Sequence, residues 1–305
     1  MRPLRNWMLY LGGVLGVAAL AAPWIYLLAQ RLAEAWPVCE VLAHHPFRRY
    51  VSRCLMVLAL AGLWPLLRSL RIRNWTDLGL DRSRPVARET GAGFTVGVGL
   101  FLGLLLLSVF LDLREFSPVK SPGRVAGLLA GGVVSAGAVG ILEEILFRGA
   151  LYGMVRRVHG WWLAMGFSTV IYAVSHFLAR VHWEGAIGWA AGFGVLGRSL
   201  RALLEVRGFL PEFLVLLAAG FVLAQARERS GSLWLPIGLH AGWVMGRKLA
   251  DGFTEMVDPG AAFAESLLSV MMLVLTAVWV QWRHRTVLLR DTPGDAHDEP
   301  GESLA

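Results

Sequence analysis

Two adjacent carboxylates and an arginine lie within an apolar stretch of this chain, at Glu143, Glu144 and Arg148. Ionisable side chains at membrane depth are energetically costly, so their presence there indicates a functional site. In a helix, residues i and i+4 share a face, whereas adjacent residues point about 100° apart. The spacing therefore predicts an ion pair between Glu144 and Arg148. It leaves Glu143 free for chemistry, or for a partner on another helix.

Two histidines, His176 and His240, are the expected partners of Glu143. At a rise of about 1.5 Å per residue, Glu143 lies roughly 20 Å, His176 roughly 21 Å and His240 roughly 12 Å from the same membrane face. These depths overlap, so the three side chains meet if their helices are neighbours. A carboxylate facing a histidine can hold and deprotonate a water. A second histidine can stabilise the oxyanion that forms when this water attacks an amide, and the set predicts a hydrolase acting within the membrane.

The composition is that of a polytopic membrane protein. Of 305 residues, 56% are hydrophobic and only 17% are charged, and the mean hydropathy is +0.55. The net charge of +7 comes with arginines that flank apolar runs, which favours membrane anchoring and argues against a nucleic-acid partner. The two cysteines, Cys39 and Cys54, support neither a disulfide framework nor a thiolate metal site. Tryptophans at the ends of apolar runs are predicted interfacial anchors: Trp7, Trp36, Trp64, Trp75, Trp161, Trp162, Trp234 and Trp282.

The hydropathy pattern predicts an all-α integral membrane protein with about eight transmembrane helices. Residues 180–208 are the least clear region, and the apolar portion at 189–196 is too short to cross alone, so it is re-entrant or interfacial. We divide the chain into N-terminal helices and loops (1–123), a catalytic core (124–250), a last helix (251–285) and a disordered polar tail (286–305). The predicted spans are 7–28, 51–67, 91–113, 124–157, 161–179, 211–226, 233–249 and 263–282.

Several local patterns predict orientation and packing. Six arginines between positions 68 and 88, with Arg2 and Arg5, place the N-terminus in the cytoplasm, which suits a bacterial inner membrane. The first apolar run is longer than the core of a signal peptide, which favours a retained helix.

Glycines spaced by four at 93–97 and 99–103, and the small residues of 130–138, predict close helix contacts in a crowded centre. Residues 227–231 are expected to form a tight turn.

The motifs resemble the CPBP family of intramembrane proteases, which comprises CAAX prenyl proteases and bacteriocin-processing proteins and is also called the Abi family. The resemblance rests on Glu-Glu-x-x-x-Arg at 143–148, an aromatic-x-x-x-His at 172–176, and the run 231–243 that contains His240. It covers about residues 124–248. The family implies an eight-helix fold and peptide-bond hydrolysis near the membrane. By the same matching, the implied roles are a general base for Glu143, water positioning for His176, oxyanion binding for His240, and support of the site by Glu144 and Arg148.

Two positions depart from the family pattern. The third motif usually reads His-x-x-x-Asn, but the fourth residue after His240 is Val244, which has no polar group. Losing one oxyanion donor can cost about 100- to 1,000-fold in rate. The second motif has Tyr172 where phenylalanine is common, which adds a hydroxyl donor.

The sequence leaves three other functions open. Glu143, His176 and His240 could bind zinc and leave one position open, although no HExxH motif occurs. We favour a metal-free site without cofactors, because Glu144 already has a partner in Arg148 and no further His or Cys completes a ligand set. The chain could instead be a non-proteolytic membrane scaffold or immunity protein, or a transporter with a proton relay. As a protease, its partners are membrane lipid and a membrane-anchored substrate, such as a prenylated tail, a bacteriocin-like leader or a sorting segment.

Overall fold

The computed structural model describes residues 2–117, 121–177, 183–204, 210–258 and 260–284. Its long helices are continuous, and two short strands pair antiparallel. The tail that we predicted to be disordered lies outside the described residues. The helices and strands, in chain order, are α1 (Arg2–Ala35), α2 (Glu40–Ala43), α3 (Phe47–Ser69), α4 (Val86–Phe110), β1 (Arg114–Phe116), α5 (Pro122–Glu144), α6 (Gly153–Arg156), α7 (Trp161–Phe177), α8 (Ala191–Leu204), α9 (Leu210–Ser230), α10 (Trp234–Phe253), β2 (Thr254–Met256) and α11 (Ala261–Arg283).

The fold is that of a polytopic, helical membrane protein, as the hydropathy predicted. Within the described ranges, six helices are long and apolar enough to cross a membrane. The other two predicted spans correspond to α7 and α10, which are not among these six. Helix α7 has only 17 residues, and α10 carries three charged side chains in its last turns. These two helices bear His176 and His240. The six are α1, α3, α4, α9, α11 and the helix that runs from Pro122 to Arg156.

Three local features differ from the predictions. The helix that begins at Pro122 changes to π-helical geometry over Ile145–Tyr152, directly after the two glutamates. Such π-helical turns are frequent at functional sites. The expected tight turn at 227–231 is wrong for most of its length, because α9 continues to Ser230 before Gly231 takes a positive φ of 68°. The predicted loops also contain β1 and β2, which are held by Arg114 through its contacts with Thr254 and Glu265.

Helix α10 packs tightly against α4 because both backbones carry glycine at the contact. A Cβ on Gly238 would lie 2.2 Å from the carbonyl oxygen of Thr90, and one on Gly97 would lie 2.7 Å from that of Leu239. Small residues permit this close approach. The predicted Gly93–Gly97 pair therefore lies in the interface, whereas Gly99 and Gly103 face open space. This contact determines where His240 lies.

On its other side, α10 packs against one stripe of α5. Gly132, Ala136 and Gly140 are buried at four-residue intervals. A Cβ on Gly140 would lie 3.0 Å from the carbonyl oxygen of Ile237. The prediction of a crowded centre for the whole stretch 130–138 was wrong, since Val133 and Val134 are exposed. This single buried stripe nevertheless places the last turn of α5, which carries Glu143 and Glu144, beside α10.

Helices α1, α3 and α8 form a second group with its own small core, which includes Ala18, Val51 and Val195. The unclear region 180–208 thus contains the helix α8, which packs on α1 and α3. Residues 180–182 and 205–208 of that region lie outside the described residues. A Cβ on Gly192 would lie 2.0 Å from the carbonyl oxygen of Ala19, so α8 and α1 touch through their backbones.

Candidate active site

A buried hydrogen-bonded chain joins the π-helical segment to α10. Oε1 of Glu144 lies 2.8 Å from Nη1 of Arg148 and 2.9 Å from Nδ1 of His240. The side chains of Glu144 and Arg148 are 0% and 1% exposed, and that of His240 is 5% exposed. A buried charge needs an opposite charge and further hydrogen bonds. Glu144 and Arg148 supply the opposite charges to each other. The i, i+4 pairing predicted from the sequence is present, and His240 extends it to a second helix.

Arg148 also binds the neighbouring helices α9 and α7. Its Nη2 donates to the carbonyl oxygen of Gly220 over 3.2 Å. Its guanidinium lies over the ring of Tyr172, with Cζ 4.4 Å from the ring centre. Helix α9 comes this close because Gly220 has no side chain, and a Cβ there would lie 3.0 Å from Thr169. The arginine thereby connects the π-helical segment to two further helices.

Glu143 faces the two histidines, as the overlapping depths predicted. Its Oε2 lies 3.4 Å from Nε2 of His176 and 3.8 Å from Nε2 of His240. This oxygen is buried and has no hydrogen-bond partner among the described residues. A buried polar atom without a partner indicates a place for a water or a ligand group. The three residues predicted to do chemistry therefore meet at one oxygen of Glu143.

The hydrogen bonds of the two imidazoles assign their tautomers. Nδ1 of His176 lies 2.9 Å from the carbonyl oxygen of Tyr172, which can only accept, so Nδ1 carries a proton. Nδ1 of His240 likewise donates to the carboxylate of Glu144, since that carboxylate is ion-paired with Arg148. Both histidines thus direct Nε2 towards Glu143. In the neutral ring of His176 this nitrogen is an acceptor.

A cavity of about 390 Å³ reaches this site from the side of α1 and α3. Glu143 and His176 form part of its wall, and most of the remaining wall is apolar. Trp7, which we predicted to be an interfacial anchor, lines this cavity and is only 2% exposed. Its indole Nε1 has no hydrogen-bond partner in the described parts of the chain. The prediction for Trp7 is therefore corrected, because α1 packs this side chain inwards.

The two positions that depart from the family pattern lie in different surroundings. Val244 packs with apolar side chains of α4, α5 and α10, among them Val98, Ala136 and Met245. Tyr172 lies at the centre of the site, with its ring centre 4.3 Å from that of His176 and 6.1 Å from that of His240. The sequence alone did not distinguish these two environments.

Some contacts at the candidate site had no signal in the sequence. The carbonyl of Gly220 and the inward position of Trp7 depend on helix contacts that join distant parts of the chain. The glycine itself was the only local hint of the first contact, since small residues mark close helix approach. Among the described residues, no group of three His, Cys, Asp or Glu side chains has the arrangement of a metal site.

Comparison with known proteins identifies the segment that carries these residues. Residues 125–246 match the family model described as Type II CAAX prenyl endopeptidase Rce1-like. This range contains both glutamates, Arg148, Tyr172 and both histidines of the site. No curated protein and no solved structure matches the chain. The match to the family model confirms the resemblance drawn from the motifs: over residues 125–246 the chain is similar to the CAAX-type endopeptidases of the CPBP family.

Proposed function

We propose that this protein is an intramembrane endopeptidase of glutamic type, which hydrolyses a peptide bond of a membrane-anchored protein or peptide. Glu143 activates the water together with His176, and His240 stabilises the oxyanion. The observation that carries this proposal is the buried Oε2 of Glu143, which lacks a partner and faces Nε2 of both histidines.

The water is held by two acceptors. The Oε2 of Glu143 and the Nε2 of His176 lie 3.4 Å apart, and neither carries a proton when the imidazole is neutral. A water beside them can donate one hydrogen to each, which turns a lone pair of its oxygen towards the substrate. Glu143 then removes a proton as the oxygen attacks the scissile carbonyl carbon, and the carbonyl π electrons move to the oxygen.

His240 is placed to bind the resulting oxyanion. Because its Nδ1 donates to Glu144, it can offer a hydrogen at Nε2 only as an imidazolium. The carboxylate of Glu144 stabilises that cation, and Arg148 keeps the carboxylate in place. When the tetrahedral intermediate collapses, the C–N bond breaks and the proton held by Glu143 passes to the leaving amine. The products are a carboxylic acid and an amine, and Glu143 is again a carboxylate.

The matched family favours a prenylated C-terminal tail as the substrate. Such a tail ends in Cys-aliphatic-aliphatic-X, and its isoprenoid keeps it in the membrane. The apolar cavity that opens at Glu143 suits a lipid-modified or otherwise apolar segment better than a soluble peptide. We further propose that the protein acts in a bacterial inner membrane with a cytoplasmic N-terminus, that lipid and the substrate are its partners, and that it needs neither a metal nor nucleic acid.

The proposal is tested with purified protein in nanodiscs and a farnesylated peptide that ends in Cys-aliphatic-aliphatic-X. Wild-type protein is expected to release the terminal tripeptide. Glu143→Gln keeps the shape of the side chain but removes the base, so cleavage should fall by at least about 100-fold. Mass spectrometry of the products measures the cleavage by each of the two proteins. Equal cleavage by the two proteins would overturn the proposal, as would an intact peptide after incubation with wild-type protein. For the wider substrate range, peptides that accumulate only in Glu143→Gln cells identify the natural substrate.

A further inference from the structure

Tyr172 lies between the two histidines of the site. Its ring contacts Phe147 edge-on at 5.3 Å and the ring of His176 at 4.3 Å, and His240 lies edge-on at 6.1 Å, all measured between ring centres. The residue is only 3% exposed. Glu143 and His176 line the cavity, and Tyr172 and His240 are adjacent to them.

Among the described residues, the hydroxyl of Tyr172 is unused. The backbone carbonyl of the residue accepts from His176, but its hydroxyl makes no hydrogen bond to any residue that the structure describes. Buried tyrosines usually find a partner for this group. A phenylalanine would make all the same ring contacts, so packing alone gives no reason for the oxygen. A hydroxyl without a partner next to a candidate catalytic histidine points to a ligand atom as its acceptor.

The site also lacks a donor that related motifs contain. Val244 stands where the family pattern has asparagine, and it packs in an apolar cluster with Val98 and Met245. Among the described residues, His240 would otherwise be left as the single side-chain donor to the oxyanion of the proposed reaction. One missing donor is costly, at about 100- to 1,000-fold in rate.

We infer that the hydroxyl of Tyr172 is the second oxyanion donor of this protein and replaces the asparagine that Val244 displaces. The inference rests on the proposed function, because it assigns a role in the same hydrolysis. The hydroxyl donates a hydrogen bond beside Nε2 of His240 as the carbonyl oxygen becomes negative, and no proton is transferred. The guanidinium of Arg148, 4.4 Å from the ring centre, draws electron density from the ring and strengthens the O–H as a donor.

The test compares four proteins in the farnesylated-peptide assay: wild type, Tyr172→Phe, the double variant Tyr172→Phe/Val244→Asn, and Tyr26→Phe as a matched control. Tyr26 lies in a separate ring cluster with Phe47 and Tyr50. Tyr172→Phe is expected to lower kcat by about 100-fold with little change in KM, since the missing bond forms only in the transition state. The double variant should have a kcat at least about tenfold higher than that of Tyr172→Phe, because asparagine restores a donor at position 244. Tyr26→Phe should match wild type.

The outcomes separate this inference from the proposed function. If wild type cleaves, Glu143→Gln does not, and Tyr172→Phe equals wild type, only the role of Tyr172 is overturned. The same follows if the loss in Tyr172→Phe comes with a matching fall in the melting temperature, or if Val244→Asn restores nothing. If wild type and Glu143→Gln behave alike, the proposed function fails and this inference fails with it. A loss of kcat at unchanged stability, with recovery in the double variant, supports the inference.

Discussion

The carboxylate of Glu144 accepts a hydrogen bond from Nδ1 of His240, a residue 96 positions away, over 2.9 Å. The same Oε1 accepts from Arg148 over 2.8 Å. One buried oxygen thus holds α10 and the π-helical segment together. The relationship also shows how the two adjacent glutamates differ. Glu144 is bound through Oε1 to Arg148 and His240, whereas Oε2 of Glu143 has no hydrogen-bond partner among the described residues and faces Nε2 of both histidines.

Glu144→Gln is expected to destabilise the protein strongly. The change leaves the charge of Arg148 buried without its counter-ion, and breaking a buried pair in this way costs about 3–5 kcal/mol. Thermal unfolding in detergent micelles measures the effect as a lower melting temperature. Glu184→Gln, at an exposed position, is the matched control and should melt like wild type. A melting temperature of Glu144→Gln equal to that of the control would mean that the pair contributes no net stability.

Gly238→Ala is expected to disrupt the contact between α4 and α10. The added Cβ would lie 2.2 Å from the backbone oxygen of Thr90, and a backbone cannot move aside as a flexible side chain can. Overpacking of this kind costs at least about 1–3 kcal/mol. The expected result is a low yield of monodisperse protein on size-exclusion chromatography. Gly99→Ala on α4 introduces its Cβ into open space, so it should be tolerated, and similar behaviour of the two variants would contradict this prediction.

The C-terminal end of α11 should make stability depend on pH. Burial lowers the pKa of His284, with Arg283 and Arg84 adding to the effect and Glu89 opposing it. Because the folded state binds this proton less readily than the unfolded state, stability is full above the ordinary histidine pKa of about 6.5 and declines as pH falls below it. The melting temperature of wild type should therefore drop more between pH 7.5 and 5.5 than that of His284→Gln. His159→Gln, at an exposed position, should keep the wild-type slope, and an unchanged slope in His284→Gln would contradict the assignment.

A glutamic mechanism predicts that metal chelation leaves cleavage unchanged. Incubation with EDTA and with 1,10-phenanthroline before the peptide assay should not lower the rate, and metal analysis of the active protein should find no stoichiometric zinc. Since Oε1 of Glu144 is already bound by Arg148 and His240, the groups that face one another at the centre of the site are Oε2 of Glu143 and the two Nε2 atoms. Loss of activity with chelator, and its return with added Zn²⁺, would instead establish these three groups as metal ligands.

The local part of this site could be predicted from the sequence. The pairing of Glu144 with Arg148 follows from helical spacing, and the burial of Gly93 and Gly97 follows from the small side chain of glycine. The apolar spans were also predictable, because apolar segments of that length belong in a membrane. Their ends were less accurate, as α1 extends from Arg2 to Ala35 well beyond the predicted 7–28.

Other contacts between distant segments could not be predicted in this way. Trp7 looked like an anchor because it stands at the end of an apolar run, yet the packing of α1 turns it into the cavity. The pairing of β1 with β2 joins two loops that are about 140 residues apart, which no local pattern records. The π-helical turns at Ile145–Tyr152 likewise had no local signal, since helix propensity alone favours the regular α-helix. Within these turns Arg148 contacts Gly220 and Tyr172 on two other helices.

By itself, the sequence determined which residues carry charge inside an apolar chain, how they are spaced along each helix, and hence that Glu144 pairs with Arg148. The depths of Glu143, His176 and His240 predicted that they meet if their helices are neighbours. The tertiary structure alone decided that these helices are neighbours and that Oε1 of Glu144 also binds His240. The physical reason is that spacing fixes neighbours on one helix, whereas partners on different helices depend on how closely the backbones approach. Here the glycines between α4 and α10, and between α5 and α10, set that approach.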